Sequence, residues 1–115
     1  MQIETVEGIT VAFYDGSVIV TEADATDLIG ECFGLGIDLM AIPAEKLAGD
    51  FFWLSTGLAG AVLQKFQNYG FRVAVIGDIS QFTAESPSLR DFVYESNRRG
   101  QIVFVSDREA LLKSL

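Results

Sequence analysis

Apolar and polar positions follow two different periods along the chain, and the changes of period divide it into elements. Thr5 to Tyr14 reads as a strand with mixed alternation, Asp15-Gly16 is a tight-turn dipeptide, and Ser17 to Val20 is a short β-branched run. A hairpin is therefore expected at the start. Thr21 offers an N-cap with Asp24 three residues on, and Ala25, Leu28, Ile29 and Cys32 follow at helical spacing until Gly34 and Gly36 stop the helix. Leu39 to Ile42, ended by Pro43, is too brief for a helix and predicts a buried strand.

An irregular stretch from Pro43 to Leu54 leads to a second helix. Its apolar stripe is Leu58, Ala59, Val62, Leu63 and Phe66, and Gly70 closes it. Gly57 and Gly60 predict either the close approach of another backbone or ligand, or an extended helix start. Phe71 to Ile76 is a continuous apolar run of the kind found in a sheet covered on both faces, ended by Gly77-Asp78. After a polar loop, Ser86 caps a third helix that Pro87 opens, with Leu89, Phe92 and Val93 as its buried face and Gly100 as its stop. Ile102 to Val105 is the last strand, and Ser106 with Glu109 predicts a capping box for a short terminal helix.

The order ββαβαβαβα predicts a single α/β domain over residues 1–115. Its sheet should be mostly parallel, with an N-terminal hairpin and helices on both faces. In such sheets functional groups gather at the carboxyl ends of the strands. Those ends are Pro43 to Ser55, Gly77 to Ser88, and Ser106-Asp107.

Composition narrows the chemistry. Half of the residues are hydrophobic, enough for a core without staples. With no histidine and one cysteine there is no disulfide framework, no Cys/His zinc cage and no histidine base. No cofactor is expected, and the lack of a nucleophile and base pair argues against catalysis. Magnesium binding by Asp50, Asp78 and Asp107 would need distant acids to converge, so no metal is expected. The net charge of −8 disfavours nucleic acid as a partner. Residues 1–50 hold ten acids against one base, Lys46, whereas residues 51–115 are nearly balanced with six acids and seven bases. One flank should be strongly negative, repelling anionic membranes and able to steer a basic protein surface, if it does more than keep the chain soluble. Acids near Met1 where a signal peptide needs positive charge, and no apolar run of membrane-spanning length, point to a cytoplasmic protein with a reduced, buried Cys32.

Several segments carry a resemblance. Phe51-Phe52-Trp53-Leu54-Ser55-Thr56-Gly57-Leu58-Ala59-Gly60, Leu63-Gln64-Lys65-Phe66, Val73-Ala74-Val75-Ile76-Gly77-Asp78 and Ser88-Leu89-Arg90-Asp91-Phe92-Val93-Tyr94-Glu95-Ser96-Asn97 are similar to a bacterial family, domain of unknown function 4180, in one register over nearly the whole chain. That likeness implies no particular activity. The element order and the Val-Ala-Val-Ile-Gly-Asp strand end also resemble the SpoIIAA-like or STAS fold of anti-sigma factor antagonists. In those proteins a serine at the start of the second helix is phosphorylated by a partner kinase, and the matching position here is Leu54-Ser55-Thr56-Gly57.

Three groups are candidate sites. Ser55 and Thr56 are candidate phosphoacceptors, with helix capping as the simpler role. Phe51, Phe52 and Trp53 cannot all enter one core, so at least one should be exposed as an anchor for a partner or second subunit, or lie as a lid over the sheet. Asp78, Ser80, Ser86, Ser88 and Arg90 are candidate ligand-binding residues at a strand end, although capping, turn chemistry and local pairing would each account for one of them. The expected function is a non-enzymatic regulatory or protein-interaction domain, whose partner is another protein or, in a homodimer, a second copy of the chain. The alternative is a small-molecule-binding domain or small enzyme working at the strand ends through Asp78 and Arg90.

Overall fold

The computed structural model describes residues 1–115. It has five strands, β1 (Gln2–Val6), β2 (Ile9–Phe13), β3 (Leu39–Pro43), β4 (Arg72–Ile76) and β5 (Ile102–Val105). Five helices accompany them: α1 (Glu22–Cys32), α2 (Leu58–Asn68), α3 (Ser80–Glu85), α4 (Pro87–Arg99) and α5 (Arg108–Ser114). None is long and apolar enough to cross a membrane. The strands form one sheet in the order β1-β2-β3-β4-β5, with β1 antiparallel to β2 and every later pair parallel. The α/β class, the mostly parallel sheet and the N-terminal hairpin thus agree with the expectation from the pattern.

The hairpin turns earlier than expected. Val6 pairs with Ile9, so the loop is Glu7-Gly8, and both residues have positive φ, 52° and 79°. That is the backbone a two-residue turn needs to match the twist of its strands. Asp15-Gly16 is not the hairpin turn, because β2 takes its antiparallel partner from the residues before it; the Tyr14 hydroxyl donates to the Ser17 carbonyl across this bend at 2.6 Å. Ser17 to Val20 is not a strand either. Only Ile19 pairs, through its N–H to Lys46 O at 2.7 Å and its carbonyl to Ala48 N at 3.0 Å.

A sheet whose parallel crossovers always step the same way leaves its helices on one side. Accordingly α1, α2 and α4 pack with Ala12, Met40, Ile42, Val73, Val75 and Phe104 in one large core. Only α5, which follows the last strand, covers the opposite face, where Leu111 meets Val11, Leu39, Ala41 and Ala74. Helices do lie on both faces, but very unequally.

Local chemistry explains most boundaries. Thr21 and Asp24 form a full capping box at the start of α1. Ser86 accepts from Leu89 N at the start of α4, with Pro87 in the first turn and Gly100 closing it. At α5 the cap is Asp107, not Ser106: its carboxylate accepts from Ala110 N at 2.8 Å. Of the two alternatives for Gly57 and Gly60, a close approach of protein atoms is absent, since a Cβ on either would meet nothing within 4 Å. Gly57 instead serves as the left-handed residue before α2. Between Pro43 and α2 the chain winds through three short 3-10 turns.

Candidate functional site

The carboxyl end of β4 is the point from which a cleft is built. Gly77 leaves the strand with φ of 143°, donating its N–H to Val105 O at 2.9 Å. A Cβ there would stand 3.1 Å from the Ala44 Cβ, so a side chain is resisted by backbone and neighbour together. The turn places Asp78 at the rim. Its Oδ1 accepts from Ser80 N at 2.9 Å, closing a turn just before α3. The Ser80 hydroxyl, and then its backbone N–H, hold the Asp78 carboxyl below the usual carboxylate range.

The polar loop expected before Ser86 is the short helix α3. It is fixed by one aromatic contact, Phe82 stacked on Phe52 with centroids 4.5 Å apart. On the other side, α4 is tied to β5 by Asn97. Its Nδ2 donates to Phe104 O at 3.3 Å and its Oδ1 accepts from Phe104 N at 2.7 Å. The side chain acts as a strand partner for the edge of the sheet.

Between these walls lies a cleft of about 480 Å³, within the usual range for ligand pockets. Val93, Phe104, Val105 and Ile79 supply its apolar lining, and Asp78, Ser80, Thr83, Arg90, Asn97 and Ser106 its polar groups. Of the candidate ligand-binding residues, the fold brings Asp78, Ser80 and Arg90 together. Ser86 and Ser88 are outside: Ser86 is occupied as the cap of α4, and Ser88 is exposed elsewhere on its first turn. Thr83, Tyr94 and Asn97 were not foreseen. The i, i+3 or i+4 spacing of Arg90, Val93, Tyr94 and Asn97 on one helix was the available signal.

Asp78 also borders a second strand-end cavity that contains Glu45, Asp107 and Arg108. Asp50 is not part of it, and no cluster of three or more potential ligands could hold a metal ion.

The aromatic triplet divides. Phe51 and Phe52 are buried, and Trp53 is 45% exposed. The Thr56 hydroxyl donates to the carbonyls of Asp50 and Trp53 and accepts from Leu58 N at 3.3 Å, so it fastens the turn before α2. Ser55 is exposed and takes part in none of these bonds.

Residues 5–115 match the family described as Domain of unknown function (DUF4180). No curated protein and no solved structure matches the chain significantly.

Proposed function

The chain belongs to the DUF4180 family, whose description assigns no activity, and from the geometry we propose that it is a small-molecule-binding domain with its site in the cleft at the ends of β4 and β5. The observation that carries this is the convergence of Asp78, Ser80 and Arg90, from two helices and a strand end, on one partly apolar cleft. The role we assign is recognition, through a carboxylate and a guanidinium set among hydroxyls on a partly apolar lining. A thermal-shift panel of small metabolites on the wild-type chain and on Thr83→Trp, which fills the cleft, tests it. A ligand at a hundred times its Kd stabilises by about 2.7 kcal/mol, a rise in Tm of roughly 10 °C for a domain of this size. At least one compound should raise the wild-type Tm and leave Thr83→Trp unmoved; equal responses in both proteins would refute the assignment.

A second reading rests on a different observation, the half-exposed Trp53 beside the free Ser55 at the head of α2. In this reading the domain is a cytoplasmic, STAS-like regulator that docks a protein with a basic surface, or a second copy, and is released when Ser55 is phosphorylated. The uniformly stepping strand order and the acidic first half of the chain support it. Mass-spectrometric mapping after incubation with cell lysate and ATP should find phosphate on Ser55. Phosphate elsewhere, or none, would remove it.

A further inference from the structure

The cleft holds two charges of opposite sign that do not neutralise each other. Among its twelve lining residues only Asp78 and Arg90 are charged, and none of the ion pairs in the molecule joins them. Asp78 is bonded to Ser80 alone and has no cationic partner. Arg90 has only Asp91, 3.9 Å from its Nε, with both side chains largely in solvent. Such a contact holds a guanidinium weakly and leaves its fork free for a carboxylate.

The ligand's own charges follow from this pair. An anion such as phosphate would meet Arg90 but also face Asp78, in a chain already at −8. A simple cation would meet the reverse conflict. An uncharged molecule could hydrogen-bond to both groups but would forgo the stronger, charge-assisted bonds that each offers. A molecule carrying one charge of each sign satisfies both. Beyond the charged groups the lining is apolar at Val93, Phe104 and Val105, and a cleft of about 480 Å³ holds a ligand of modest size.

Resting on the strand-end reading above, we propose that the cleft binds a free α-amino acid with an apolar side chain. Its ammonium meets Asp78, its carboxylate meets Arg90 and its side chain lies on Val93 and Phe104. Serine and threonine hydroxyls at Ser80, Thr83 and Ser106 take the remaining hydrogen bonds of the two charged groups.

Backbone-amide NMR titrations of the full chain with L-leucine and L-phenylalanine, to millimolar concentrations, test the proposal. Each is compared with its N-acetyl and its carboxamide derivative, which lack one charge apiece. The free amino acids should move the signals of Ser80, Val93 and Val105, and either blocked form should bind roughly ten- to hundredfold more weakly. Asp78→Asn keeps an oxygen for the Ser80 N–H and removes only the charge, so it should abolish discrimination against the N-acetyl form. Arg90→Gln should do the same for the carboxamide. If blocked and free forms bind the cleft equally, the amino-acid assignment is overturned while the cleft remains a ligand site. If none of these probes moves a cleft signal, the amino-acid assignment is overturned, and the metabolite panel on Thr83→Trp then decides the cleft separately.

Discussion

Replacing Asn97 by alanine removes the one side chain of α4 that hydrogen-bonds to the outer edge of β5, and the consequence can be worked from its two hydrogen bonds. The Nδ2–Phe104 O contact is 3.3 Å and the Phe104 N–Oδ1 contact 2.7 Å, both part-buried. Neutral hydrogen bonds of this kind contribute about 0.5–1.5 kcal/mol each, so roughly 1–3 kcal/mol is lost. Alanine is the better helix former by about 0.6 kcal/mol, which leaves a net loss of roughly 0.5–2.5 kcal/mol. With a urea m-value of about 1.5 kcal/mol/M, the midpoint should fall by roughly 1 M. Ser96→Ala, on the same helix and with no side-chain hydrogen bond to β5, should stay within about 0.5 kcal/mol of wild type. Urea titrations followed by circular dichroism read both. Coincident midpoints for Asn97→Ala and Ser96→Ala would mean that water serves the edge of β5 as well as the amide does, and the idea of a side-chain strand partner would fail.

Gly77→Ala should destabilise by about 1–3 kcal/mol, because φ of 143° and the Ala44 Cβ at 3.1 Å both oppose a side chain; a melting curve superimposable on wild type would contradict this. Asp24 accepts N–H groups from Val20 and then Thr21, which hold its carboxyl below the ordinary aspartate range. A folded value below the unfolded one means that its contribution is complete above the ordinary range and fades as the pH falls through the lower folded value, so Asp24→Asn should flatten the acid limb of the stability curve. An acid limb as steep as wild type would show that other carboxylates dominate. Cys32 is 1% exposed, and burial first, then the nearby Glu31, raises its thiol pKa. Iodoacetamide at mildly alkaline pH should therefore label it quickly only after unfolding in urea, and equal rates in both states would refute its burial.

The elements that could be read along the chain are those whose signals are local. Thr21 with Asp24, Ser86 with Pro87, and Gly100 each satisfy or terminate a helix end through neighbours a few residues away. Leu39 to Ile42 and Val73 to Ile76 are apolar throughout because the sheet is covered there on both sides. The hairpin turn is not legible because Glu7, a non-glycine residue, takes the positive φ that Asp15-Gly16 advertises more plainly. The helix α3 gives no local signal because its six residues carry almost no apolar period, and it is held by Phe82 against Phe52, thirty residues away.

The candidate site divides in the same way. Asp78 and Arg90 stand out by type, as a carboxylate after a strand and a guanidinium in the first turn of a helix. That they share a cleft without forming a pair depends on where α3 and α4 settle. Local pattern by itself determined the fold class, the caps of α1 and α4, and the strands that fill the centre of the sheet. Tertiary structure alone decided the unequal covering of the two faces, the division of Phe51, Phe52 and Trp53 between core and solvent, and the exclusion of Ser86 and Ser88 from the cleft. Capping and periodicity act over one or two turns of chain, whereas burial and the meeting of charges depend on contacts between segments that only the packed sheet brings within reach.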